Sequence, residues 1–89
     1  MHELSIAMSI VDGAAEKAAE YPSERVSTVR LRLGALAGVA KEALLFSYDL
    51  AAQGTVLEGS RLEIEAVDGR ELLITGLELV EEEYAAAAC

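Results

Sequence analysis

The dipeptide Asp68-Gly69 constrains this chain more than any other feature, because it separates two stretches, RLEIEAV and RELLITGLELVEEE, that both alternate apolar with polar residues. Alternation is the period of a strand with one buried face, and Asp-Gly suits the two central positions of a tight hairpin turn. The sequence therefore predicts a β-hairpin. With Val67 opposite Arg70, Ile64 faces Leu73 and Leu62 faces Thr75, so Leu62, Ile64, Leu73, Leu77 and Leu79 share one face. Glu63, Glu65 and Glu78 fall on the other, together with Val67, Leu72, Ile74 and Val80.

A third strand is legible upstream. In RVSTVRLRLG, Val29, Leu31 and Leu33 point one way and Thr28, Arg30 and Arg32 the other, which adds arginines to the glutamate face. Exposed cross-strand charge pairs are worth about 0.2–1 kcal/mol each. The four apolar residues on that face leave room for a homodimer or another partner contact.

Two helices supply the cover such a sheet needs. From Glu3 to Glu20, Leu4, Ala7, Met8, Val11, Ala14, Ala15 and Ala18 recur at steps of three and four, Glu16, Lys17 and Glu20 lie off that stripe, and Pro22 ends the run. Gly34 and Gly38 bracket a loop. Helical spacing returns over residues 39–53, with Val39, Ala43, Phe46 and Leu50 on one stripe, Leu45 and Tyr48 alongside, and Gly54 as the stop. The order helix, strand, helix, strand, strand predicts a small single-domain α/β (α+β) fold. Its three-stranded sheet has two helices on one face, with a right-handed crossover wherever the strands joined by a helix run parallel. The domain spans residues 1–82, and residues 83–89 form an alanine-rich tail, frayed or appended.

Composition narrows the function. Sixteen acidic against seven basic side chains give a net charge of −9, which disfavours nucleic acid and anionic membrane and favours cations or basic protein surfaces. No apolar run approaches the ~20 residues of a membrane span, and the amino terminus lacks a signal-peptide pattern, so the expected location is cytoplasmic. Cys89, the sole cysteine, allows neither an internal disulfide nor a thiolate zinc site within one chain. No second histidine, complete Ser/His/Asp set or glycine loop with lysine is present, and LGALAG reads as a turn; the chain is not expected to be an enzyme.

The remaining chemistry sits at the start, MHELSIA. A free Met1 amine, the amide nitrogen between Met1 and His2, and the His2 imidazole Nδ1 can close fused five- and six-membered rings around one metal. This nearly coplanar nitrogen set suits Ni(II) or Cu(II) once the amide is deprotonated. One planar site stays open, for the Glu3 amide, a Glu3 oxygen or a partner's donor. The other reading of His2 is an exposed side chain at a helix start.

MHELSIA, then VRLRLGALAGVAKEALLFSYDLAAQGTVLEGSRLEIEAV, then DGRELLITGLELVEEE, resemble the hydrogenase nickel-incorporation protein family (HypA/HybF), most specifically in the opening M-H-E and the G-T-x-L-E-G-x-x-L-E-I-E run at residues 54–65. The resemblance implies a nickel metallochaperone for maturation of [NiFe] hydrogenase, and in some organisms urease, working with a nickel-handling GTPase and the hydrogenase large subunit. It also implies a nickel site formed by the Met1 amine, His2 and the backbone around Glu3. Two departures stand out. The family's zinc domain with paired CxxC motifs would fall where Asp68-Gly69 stands, so no zinc is expected. Ala40 occupies a loop position that is often acidic in the family, which removes one fourth donor. An alternative function is a protein-interaction module that docks the GTPase without transferring metal, and a third reading is a scaffold that has kept the fold alone.

Overall fold

The computed structural model describes residues 2–81. Met1, expected as a metal ligand, the tail and Cys89 lie outside the described residues. The elements are α1 (His2–Ala18), β1 (Glu24–Gly34), α2 (Lys41–Ala52), β2 (Arg61–Val67) and β3 (Leu72–Glu81), in the expected order.

Helix α1 carries Glu3 in its first turn and Lys17 in its last, each matched to the helix dipole. Past Ala18 the chain tightens into turns, with Tyr21 N–H donating to the Ala18 carbonyl at 2.9 Å, before Pro22. Helix α2 ends at a Gln53 cap followed by Gly54 at φ +76°, the left-handed stop that glycine tolerates best. The G-T-x-L-E-G run then folds into a compact corner. Thr55 Oγ1 donates to the Ala52 carbonyl at 2.7 Å and accepts from Leu57 N–H at 3.0 Å. Gly54 N–H donates to Glu58 Oε1 at 3.1 Å, and Leu57 plugs the core.

The strands correct the hairpin expectation. β2 and β3 do not pair; β1 lies between them, parallel to β2 and antiparallel to β3. Charge explains the choice. Arg30 and Arg32 stand directly opposite Glu63 and Glu65 of β2, with Arg30–Glu63 and Arg32–Glu65 ion pairs at 3.5 Å. On the other side Arg30 also bonds Glu78 of β3, and Arg32 meets Glu71 at 3.6 Å. A basic strand flanked by two acidic ones satisfies both neighbours, whereas a β2–β3 hairpin would leave their glutamates without arginines between them.

Residues 68–71 therefore cross the end of β1 rather than turning back. They need to span two strand spacings, about 10 Å, which four extended residues can do. Main-chain bonds seat them: Gly34 N–H donates to the Glu71 carbonyl, Ala35 N–H to Val67 and Leu36 N–H to Gly69, at 2.7, 2.8 and 2.7 Å.

Two bulges correct the face assignments. Ser27 is extra on β1 and Thr75 is extra on β3, where the partners step from Arg30↔Gly76 to Leu31↔Ile74. Each bulge reverses side-chain parity along its strand. Leu77 and Leu79 face the helices as expected, but Leu73 lies opposite Arg32 on the open face, while Ile74 packs against the core and Leu72 pairs with Leu33. Thr75 Oγ1 donates to the Arg30 carbonyl at 3.4 Å, and Ser27 Oγ to the Glu78 carbonyl at 3.3 Å, so the bulged residues bond across the β1–β3 ladder.

The core lies between the sheet and the two helices, around Val29, Leu31, Leu44, Tyr48 and Leu57. Burial of each such large side chain stabilises the fold by roughly 1.5–3 kcal/mol. Tyr48 brings a hydroxyl with it, which bonds Ser60 Oγ at 2.6 Å, while Ser60 Oγ donates to the Leu57 carbonyl at 2.6 Å. The phase of α2 also differs from expectation. Its buried stripe is Leu44, Ser47, Tyr48 and Ala52, and Ala43, Phe46 and Leu50 face outward. Apolar residues occupy most of the circumference of α2, so periodicity alone does not fix its phase. On α1, Ala7, Ile10, Val11 and Ala14 are buried, whereas Leu4 and Met8 are exposed.

Candidate metal centre

His2 and Glu3 occupy the first turn of α1. The first N–H groups of a helix have no carbonyl four residues earlier to accept them. The amide nitrogens of His2 and Glu3 are therefore outside the intrahelical ladder, and giving up their protons breaks no helical hydrogen bond. The positive end of the helix dipole favours the anionic nitrogens that result. The His2 side chain is exposed, open to an ion arriving from solvent. These features fit a backbone-and-imidazole donor set.

Glu3 behaves differently. Its carboxylate Oε2 accepts a hydrogen bond from the main-chain N–H of Ala40 at 3.4 Å. Ala40 is the N-cap of α2, extended at φ −79° and ψ 122°, and has no side chain able to cap. Glu3 thus accepts from the N-cap N–H in trans, the bond that a glutamate three residues into a helix supplies in a capping box. The Ala40 N–H, followed by the N–H of Glu3 itself, lowers the Glu3 pKa below the ordinary carboxylate value, with slight desolvation opposing. One of its carboxylate oxygens is thus engaged at the start of α2. Ala40 offers no side-chain donor, but its backbone N–H ties the head of α1 to the head of α2.

Among the described residues no three His, Cys, Asp or Glu side chains group as metal ligands. The donors at the head of α1 are backbone nitrogen and one imidazole. No described helix is long and apolar enough to cross a membrane.

The head of α1 thus presents an exposed imidazole beside amides outside the helical ladder, next to a loop held by a carboxylate. Residues 1–72, from α1 to the first residue of β3, match the family model for hydrogenase/urease nickel incorporation, metallochaperone, hypA. The chain belongs to this HypA family of metallochaperones, which is not a family of enzymes.

Relatives agree. The hydrogenase maturation factor HypA of Roseiflexus sp. (strain RS-1) is 60% identical over 67 residues, 75% of this chain and 54% of the relative. That of Chloroflexus aurantiacus (strain J-10-fl) is 57% identical over 67 residues, 75% of this chain and 59% of the relative. The HypA of Chlorobaculum tepidum is 46% identical over 70 residues, 79% of this chain and 62% of the relative. The chain spans little more than half the length of the curated relatives it matches.

Proposed function

We propose that this chain is a nickel-carrying domain for hydrogenase maturation, holding Ni(II) as cargo through the Met1 amine, the amide nitrogens of His2 and Glu3, and the His2 imidazole. The observation that carries this reading is the exposed His2 in a first turn whose N–H groups lie outside the helical ladder, within a chain of the nickel-incorporation family. The imidazole and amine recruit the ion, and amide deprotonation then fixes a planar field. A site built on a chain terminus leaves the axial directions open for handing the metal on.

In this reading the receivers are a nickel-handling GTPase and the hydrogenase large subunit, met in the cytoplasm. Titration of the untagged protein with Ni(II) should give a one-to-one yellow, square-planar absorption band. The band should be lost in His2→Ala and in a variant with residues added before Met1, with circular dichroism unchanged. Equal binding in all three proteins would remove the proposal.

A further inference from the structure

Strand β3 is an edge of the sheet. It pairs with β1 on its inner side, and among the described residues no strand lies beyond it. Alternate N–H and C=O groups along Leu72–Glu81 therefore point outward without a sheet partner. Beside this edge, between β3 and the second half of α1, runs a cleft of about 430 Å³ whose lining includes Gly13, Lys17, Ile74, Gly76, Leu77 and Leu79. Ile74, Leu77 and Leu79 pack on the core but are only half-buried, so the helix layer stops short of the outer edge.

The domain's own packing does not account for the two glycines in that lining. Glycine inside a helix or strand is less stable than alanine. Gly13 stands within α1 and Gly76 within β3, and neither has the positive φ that would demand it. A Cβ at Gly76 would meet nothing within 4 Å, and one at Gly13 would make an ordinary contact with Ile74 Cδ1 at 3.6 Å. Both positions keep room for something from outside the domain, and a glycine within a strand is where another backbone comes close.

The open face of the sheet indicates what that backbone carries. Across it the Arg30 guanidinium joins Glu63 of β2 to Glu78 of β3, an order of acid, base, acid that ends on an acid at the free edge. A basic side chain on the next strand continues the alternation. Lys17, a cation in the cleft, is held by Glu20 at 3.3 Å.

We propose that β3 takes an extended segment of a partner protein as a fourth strand, with apolar residues on the side that enters the cleft and lysine or arginine on the other. Main-chain bonds to the free edge supply affinity, while the cleft and Glu78 set the sequence preference. A second copy of β3 fits poorly. It would add Glu78 and Glu81 to an edge that already ends on acids, at a net charge of −9, and like charges on neighbouring strands repel. The site is independent of the nickel reading, since Gly13 lies roughly 16 Å along α1 from His2.

The test uses the full chain without nickel, so its failure is separate from failure of the metal site. The probe is a capped peptide of about eight residues, the length of an ordinary strand, alternating valine with lysine. Controls are a valine/glutamate analogue and a valine/lysine analogue with two adjacent central amides N-methylated, which cannot join a sheet on either side. The expected result, with the plain valine/lysine peptide alone, is NMR shift changes at Gly13, Lys17 and residues 74–79, together with slower amide exchange along β3. Gly13→Leu fills the cleft from a better helix former, so affinity should fall about tenfold while the melting temperature holds or rises. Gly13→Ala is the milder variant should leucine displace Ile74. Phe46→Ser, on the outer side of α2, should bind within about twofold of the parent. Equal binding of the N-methylated or glutamate peptide, no binding of any peptide, an equal loss in Phe46→Ser, or self-association through residues 74–79 would each overturn the proposal.

Discussion

The carboxylate of Glu3 accepts a hydrogen bond from the Ala40 N–H at 3.4 Å, joining the head of α1 to the head of α2 across 37 residues of sequence. This contact holds the first turn, where the proposed chelating nitrogens sit, against the body of the domain. The Ala40 N–H is also the main reason that the Glu3 pKa is lowered. Because the folded state favours the ionised carboxylate, the contact stabilises the fold above the ordinary carboxylate pKa, and that stabilisation is lost as pH falls through the lowered folded value. Thermal melts from about pH 6 to about pH 3 should show this loss in the parent and a shallower one in Glu3→Gln.

Ala40 offers the complementary experiment. It caps α2 without a capping side chain, so Ala40→Ser should add a bond to the first-turn amides of α2 and stabilise the domain by about 0.5–1 kcal/mol in urea unfolding. Because Glu3 bonds the N–H of residue 40 itself, the hydroxyl and the carboxylate take different amides, and a loss of stability in Ala40→Ser would show that the hydroxyl displaces the Glu3 contact.

Gly34 tests the crossover. A Cβ added there would meet the Gly69 carbonyl oxygen at 2.3 Å, and the obstacle is main chain rather than a flexible side chain. Gly34→Ala should destabilise by about 3 kcal/mol or more, at the upper end of overpacking costs. At Gly69 the surroundings are open but φ is +96°, so Gly69→Ala should cost about 1–2 kcal/mol, from backbone strain alone. Chemical denaturation of the two variants gives the order directly; equal losses would mean that the 68–71 segment moves aside.

Much of this architecture is legible in the sequence, and the failures have local causes. The extents of α1 and β1, the Gly54 stop and the Arg/Glu face follow from periodicity and turn chemistry that act over a few residues. The pairing of β2 does not. Asp68-Gly69 signals a tight turn, but the choice between hairpin and crossover depends on Arg30 and Arg32, more than thirty residues away, which need acids on both sides. The bulges at Ser27 and Thr75 each insert one residue, enough to exchange Leu73 with Ile74 between faces. At the proposed site, the place of His2 in a first helical turn follows from spacing, whereas the Glu3–Ala40 contact is tertiary and has no signature in either segment.

Tyr48 carries a prediction at the alkaline end. Its phenol is buried, and desolvation raises its pKa against the opposing effect of the Ser60 hydrogen bond, with Asp49 adding to the rise. The unfolded chain ionises this phenol at about pH 10, before the folded protein does. Stability should therefore be intact below that pH and fall as pH rises toward the raised folded value. Tyr48→Phe should lose about 1 kcal/mol near neutrality, since Ser60 Oγ loses a donor but keeps its bond to Leu57. It should then decline less than the parent above about pH 10. Urea midpoints measured on both sides of that pH distinguish the two contributions.

The nickel reading makes its own pH prediction. The Met1 amine, the His2 imidazole and the amides must all lose protons before they bind, so affinity should drop steeply as pH falls from about 8 to about 6, the range in which reference α-amino and imidazole groups titrate. The folded domain does not depend on these groups, because His2 is exposed and makes no hydrogen bond among the described residues. Circular dichroism should stay constant over the window in which the square-planar band disappears. Glu3→Gln should retain the band at neutral pH, since the amide nitrogen and not the carboxylate is the donor assigned to Glu3. Loss of the band in this variant with the fold intact would move the fourth ligand from the Glu3 backbone to its side chain.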